Sequence, residues 1–258
     1  MNTAPTGSPP AIEMLDVDFS YHFQGRTTDI LRKFNLSVQP GEFICLLGSS
    51  GSGKSTVLNL AAGFIQPTSG SVSSHGRPVA APGPDRGVVF QEFMLFPWQT
   101  VRENIGAGLR FCSIPSTEAA SRIDFLLDAV AMREFQWHYP ALLSGGMQQR
   151  VALARTLATR PRILLMDEPF GALDAQTRQQ MQSLLLRLWE SEGQAILFVT
   201  HDIDEAIHLA DTIYVIGPRP ARVLHAFRPS LPRPRSRDVF QDERYIQVKR
   251  DILSMVFA

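Results

Sequence analysis

Apolar residues follow changing rhythms along the chain. From Ile12 to about Phe43, short alternating segments (IEMLDVDFSY, LRKFNLSV) predict strands of a sheet with one polar face. EFICLLG, residues 42–48, is a continuous apolar run that stops at glycine, which predicts a buried strand. SGKSTVLNLAAGF then predicts a helix. The Gly-, Pro- and Ser-rich stretch from Gly70 to Asp85 predicts turns, and Gly87–Gln91 another short buried strand. From Pro97 to about Arg160 the pattern is mostly helical. Ile123, Leu126, Leu127 and Val130 recur at helical spacing, and Ser116 is the expected N-cap. Beyond it come a strand at Ile163–Met166, a helix at Ala175–Glu190, a strand at Ala195–Thr200, a helix at Ile203–Ala210 and a strand at Thr212–Ile216. Strands alternating with helices on both sides of a helical block imply an α/β fold. Its sheet is mostly parallel and covered by helices, with the block as an inserted subdomain.

Composition narrows the class. The chain has 258 residues, enough to bury a sizeable core, and its 44% hydrophobic and 19% charged residues exclude disorder and fibrous repeats. Its 25 Lys and Arg balance 25 Asp and Glu, which argues against a nucleic-acid partner bound through bulk charge. Cys45 and Cys112 make neither a disulfide framework nor a CxxC metal pair and read as reduced thiols. No run approaches the roughly 18 apolar residues of a spanning helix. The polar, Pro-rich start, residues 1–11, reads as a flexible lead-in without signal-peptide character. A cytosolic location is expected, and any membrane process would require docking on another chain.

Gly48-Ser49-Ser50-Gly51-Ser52-Gly53-Lys54-Ser55 matches GxxxxGK[ST] in full, between an apolar strand and a helix. Glycines let backbone N–H groups turn toward phosphate oxygens, and the helix N-terminus adds partial positive charge. Lys54 is expected to reach the β- and γ-phosphates, and the Ser55 hydroxyl to hold Mg²⁺. This motif by itself specifies a nucleoside triphosphate site and leaves kinases, GTPases, helicases and transport ATPases open.

Further along, Ile163-Leu164-Leu165-Met166-Asp167-Glu168-Pro169 is an apolar strand ending in two carboxylates. Asp167 can hold Mg²⁺, and Glu168 can act as general base on an attacking water. His201 follows the next apolar strand and can donate a hydrogen bond to a γ-phosphate. Gln91 closes the strand Gly87–Phe90, where it can sense Mg²⁺ or the water. Leu143-Ser144-Gly145-Gly146-Met147-Gln148-Gln149-Arg150 opens a strongly helical run. Its Ser-Gly-Gly turn is both a capped helix start and a second anion site.

LSGGMQQR resembles the signature motif of ATP-binding cassette (ABC) ATPases, and the resemblance covers about residues 12–225 with every nucleotide motif in order. Gly48–Thr56 resembles Walker A, with Thr56 as its last residue. Gln91 resembles the Q-loop, Ser144–Gln148 the signature (Ser144, Gly145, Gly146 and Gln148), and Ile163–Glu168 Walker B. Ala172-Leu173-Asp174 resembles the D-loop, and His201 the switch histidine. Tyr21 is similar in position to the aromatic residue that stacks on adenine, with Phe19 as the competing candidate and a core-facing strand aromatic as the alternative for either.

The resemblance implies a P-loop NTPase fold. That fold has a RecA-like core, an N-terminal antiparallel β subdomain and an inserted α-helical subdomain at about 92–160, all within an ATPase domain at 12–225. An Arg/Pro-rich tail follows at 226–258, without a long regulatory domain. The resemblance implies ATP and Mg²⁺ as cofactors, with Ser55, Gln91 and Asp167 on the metal. It also implies a head-to-tail homodimer in which Ser144 and Gly146 of one subunit cover the γ-phosphate held by the other.

The segment Val89–Trp98 and the late Gly217–Arg222 and Leu231–Arg235 are similar to importer ATPases for nitrate, sulfonate and taurine. That implies permease subunits, an indirect solute-binding protein, and peripheral attachment at the cytoplasmic face of the membrane. Leu142 departs from the pattern, standing where many importers have Gln. The alternatives are another solute class or a non-transport ABC ATPase. Translation ATPases usually carry two cassettes and a basic linker, chromosome ATPases a long coiled coil, and exporters pair with export permeases. The apolar block Glu92–Trp98 is expected either inside the helical subdomain or as a groove for a permease helix.

Overall fold

The computed structural model describes residues 8–112, 114–233, 235, 239 and 242–256. The chain divides into two compact units, Met1–Gly83 with Ala195–Ala258, and Pro84–Gln194.

The first unit opens with β1 (Ile12–Phe23) and β2 (Arg26–Val38), a long antiparallel hairpin. Next come β3 (Phe43–Leu47), α1 (Lys54–Ala62), β4 (Ser69–Ser74) and β5 (Arg77–Pro78). The antiparallel sheet runs β2-β1-β4-β5. Its strands β4 and β5 lie where turns were expected. Ser69–Ser74 carries almost no strand pattern of its own, and it is a strand because it pairs with β1, Met14 opposite Val72.

The second unit holds β6 (Arg86–Val89), α2 (Val101–Gly106), α3 (Ser116–Ala129), α4 (Gly145–Ala158), β7 (Ile163–Asp167) and α5 (Ala175–Glu192). β6 and β7 pair in parallel. The expected helical spacing in α3 holds, with Leu126, Leu127 and Val130 fully buried. Ser116, expected as an N-cap, is instead the first helical residue. Pro115 precedes it in extended geometry, and its carbonyl already accepts from Ala119 N at 3.0 Å, so the helix begins one residue earlier.

The chain then returns to the first unit with β8 (Ala195–Thr200), α6 (Ile203–Leu209), β9 (Thr212–Ile216), β10 (Val223–Phe227) and α7 (Glu243–Val256). β3 lies between β8 and β9, parallel to both, and β10 closes the edge antiparallel. All of β3 and β8 is buried, as continuous apolar runs in parallel strands require.

The described residues beside each end of the chain are tied to the first unit. Residues 1–7 lie outside the described residues. Pro10 O accepts from His75 N, and Ala11 is buried with its N–H on Val38 O. In the stretch 226–258, α7 buries Tyr245 and Ile252, and Arg235 is buried as well. Arg233 pairs with Asp211, whose other oxygen accepts from Phe43 N. Cys45 and Cys112 are both free thiols, and burial pushes the Cys45 thiol up. Among the described residues no helix is long and apolar enough to cross a membrane.

One ion pair staples the second unit. Arg122, buried on α3, grips both carboxylate oxygens of Glu192 at the end of α5 and donates to Leu157 O at the end of α4. Removing one partner of such a pair strands the other charge. Arg122→Ala should therefore lower unfolding stability by about 3 kcal/mol, read as a lower urea midpoint. An unchanged midpoint would show that the staple contributes nothing.

Candidate functional site

In the first unit, β3 delivers the phosphate loop. Leu47 ends the strand, Gly48–Gly53 forms the loop, and Lys54 begins α1. Gly53 stands at the helix cap with φ 111°, where a side chain would be strained, and no side chain caps α1. The first-turn N–H groups that a cap would take thus remain available to an anion. Lys54 is only 4% exposed. Its ammonium donates to Gly48 O and Ser49 O, both at 2.9 Å, so it lies across the loop it would share with phosphate. The Ser52 hydroxyl is buried without a hydrogen-bond partner, a polar atom left over in the same loop. Ser49, Ser50, Gly51 and Ser55 are exposed, and Thr56 is buried.

The register Leu47↔Thr200 brings His201 to this loop's side of the unit. Parallel neighbours leave together, so His201 emerges from β8 alongside Gly48 emerging from β3. Flanking side chains fix its turn. Thr200 Oγ1 donates to Glu205 Oε2 at 2.6 Å and accepts from Asp202 N at 3.0 Å, while Asp202 caps α6 through Glu205 N. Phe19 and Tyr21 differ in exposure. Phe19 is 8% exposed and Tyr21 46%, their rings edge to face at 4.8 Å. Phe19 belongs to the core, and Tyr21 is about half-exposed.

In the second unit, the register Val89↔Met166 sends Gln91 and Glu168 off the same end of β6 and β7. A Cβ built on Gly171 would stand 4.0 Å from both Gln91 Nε2 and Glu168 Oε2, so the amide and the carboxylate converge on that glycine. Glu168 has φ 41° and precedes Pro169, a combination disfavoured for any residue with a side chain. Its carbonyl accepts from Gly171 N at 3.1 Å, closing a tight turn. Asp167 is the last residue of β7.

Ser144 caps α4, its hydroxyl accepting from Met147 N at 3.4 Å. A Cβ on Gly146 would come within 2.4 Å of the Thr177 methyl on α5. Thr177 donates through Oγ1 to Asp174 Oδ2 at 2.6 Å, and this bond first, then backbone N–H donors, holds the Asp174 carboxyl below its usual range. The signature turn and Asp174 therefore meet through Thr177. Gln148 turns its amide nitrogen back onto Pro140 O and Leu143 O, where it braces the turn.

Sequence reasoning missed Thr177, Thr200 and Glu205. The Asp202-x-x-Glu205 spacing, an acidic cap with a partner three residues on, was a usable sign of the last. Among the described residues no group of three or more His, Cys, Asp or Glu side chains is placed to hold a metal.

Similarity to known proteins agrees with this geometry. The family model described as ABC transporter matches residues 31–171, more than half of the chain. The nitrate import ATP-binding protein NrtD of Synechococcus elongatus is 46% identical over 227 residues, covering 86% of this chain and 83% of that protein. The taurine import ATP-binding protein TauB of Pseudomonas entomophila is 41% identical, covering 93% and 94%. Among solved structures, the dimeric post-hydrolysis state of the ATP-binding cassette MJ0796, bound to ADP and Pi, superposes with a TM-score of 0.74 at 33% identity, covering 84% of this chain and 98% of that one. The chain therefore belongs to the ABC transporter family, as one of its P-loop ATPase cassettes.

Proposed function

We propose that this chain is the ATP-hydrolysing subunit of an ABC importer for a small anion of the nitrate, sulfonate or taurine class. It works as a head-to-tail homodimer on a separate permease at the cytoplasmic face of the membrane, with solute delivered by a binding protein. The observation that carries the ATPase reading is the uncapped start of α1, with the Lys54 ammonium resting on the loop carbonyls. The anion class rests on the nitrate and taurine import relatives.

The residues have distinct tasks. The N–H groups at the start of α1 bind phosphate oxygens, and Lys54 exchanges the Gly48 and Ser49 carbonyls for the β- and γ-phosphates. Tyr21, the more exposed of the two aromatic candidates, stacks on the purine. Mg²⁺ suits the donors present, one hydroxyl, one amide and one carboxylate from Ser55, Gln91 and Asp167, because it keeps most of its ligands as water and phosphate. When bound it neutralises charge on the transferred phosphoryl group. Glu168 takes a proton from the attacking water, and His201 donates to the γ-phosphate. Ser144, Gly145 and Gly146 of the second subunit close over that phosphate, with Asp174 beside them. Loss of the γ-phosphate removes the contact and reopens the dimer.

The aromatic loop supports a permease partner. Trp98 is 71% exposed, and Met94 and Phe96 are exposed beside it. Their backbone is nonetheless pinned. Arg155 donates to Met94 O and Phe93 O, and Asn104 bonds both the N–H and the carbonyl of Phe96. A rigid loop offering rings outward fits a docking surface better than a collapsed core.

Three outcomes check this reading. Glu168→Gln should bind ATP, accumulate as the closed dimer and lose turnover by about a hundredfold or more; wild-type phosphate release would remove Glu168 as base. Trp98→Asp should retain basal ATPase activity yet lose stimulation by the permease in reconstituted vesicles. Loss of basal activity together with folding would return the loop to the core. The solute class is tested by permease-coupled ATPase stimulation with nitrate, taurine and alkane sulfonates. Stimulation only by solutes that carry neither a nitrate nor a sulfonate group would overturn it.

A further inference from the structure

α6 has only seven residues, too short to hold its own place. β8 is fixed before it by register with β3, whereas both ends of α6 are held by polar side chains from the C-terminal stretch. Arg235 donates to Ile207 O and Ala210 O, both at 2.7 Å, and Arg233 to Leu209 O at 2.7 Å, which satisfies the carbonyls at the end of α6. Burial, then the neighbouring Arg233, lowers the Arg235 guanidinium to about 10. At the other end of the helix, the Asp204 carboxylate accepts from Tyr245 Oη at 2.5 Å and from Lys249 Nζ at 2.6 Å, both on α7. Tyr245 is 3% exposed, and burial together with Asp204 pushes its phenol up, so it remains a donor.

Asp204 stands three residues after His201 and next to Glu205, the residue that holds Thr200. We infer that Tyr245 and Lys249 are positioning residues for hydrolysis: by holding Asp204 they fix α6, and α6 fixes the Thr200–Asp202 turn that carries His201. This rests on His201 acting at the γ-phosphate. The phosphate loop follows β3, which is held by its own register with β8 and β9, so nucleotide affinity should be insensitive to the latch while the chemical step is not.

The test uses the full chain with Tyr245→Phe, which keeps the buried ring, Lys249→Met, their combination, and His201→Ala. The combined variant should lose about fivefold in kcat with the KM for ATP within about twofold of wild type. Backbone hydrogen exchange across residues 200–209 should become faster in the same protein. In the His201→Ala background the latch substitutions should lower kcat no further, because both act on one group. Unchanged kcat in the combined variant, whether or not Tm falls, overturns the latch while a slow His201→Ala leaves the histidine's role standing. Wild-type turnover by His201→Ala overturns that role and the latch with it. A raised KM at constant kcat also overturns it.

Discussion

Parallel pairing of β3 and β8 is the constraint on which the first unit's chemistry depends. Both strands are buried on both faces, so a one-residue slip would exchange the side chains packed on each face and break the fit of both. The pairing sets Leu47 against Thr200, and from that single register the phosphate loop and His201 emerge side by side. The second unit repeats the device. Val89 against Met166 sends Gln91 and Glu168 toward Gly171. Each group of reactive side chains sits just beyond a strand end, where the backbone is free to turn but the strand behind it is not free to move.

Strain and crowding are concentrated at those turns. Gly53 is left-handed at the start of α1, Glu168 is left-handed before a proline, and Gly146 has no room for a Cβ beside Thr177. Such features persist only where the surrounding structure enforces them. Here the enforcing elements are the buried strands and the caps: Ser144 on α4, Asp174 on α5 and Asp202 on α6. The same residues that start helices therefore also shape the turns that carry the candidate site residues.

Much of this was legible in the sequence, for a physical reason. A strand buried on both faces must be a continuous apolar run, so β3, β7 and β8 announce themselves, and a phosphate loop needs its glycines at fixed spacing. β4 was not legible, because Ser69–Ser74 has one buried aliphatic side chain and owes its form to β1. Arg233 and Arg235 read only as part of an Arg/Pro-rich tail, because their partners, the Asp211 carboxylate and the carbonyls at the end of α6, lie more than twenty residues away in the chain. Thr177 escaped notice for a similar reason. Its methyl matters only through the space Gly146 leaves. Phe19 and Tyr21 were indistinguishable until the irregular register of β1 put one ring inside and the other on the surface.

The central claim is that one copy holds the phosphates and a second copy completes the reaction. The specific ATPase rate measured against protein concentration, with sedimentation on the same samples, tests it most directly. The account predicts a rate per chain that rises with concentration as dimer forms and vanishes where only monomer sediments. A constant rate per chain down to fully monomeric protein would contradict it.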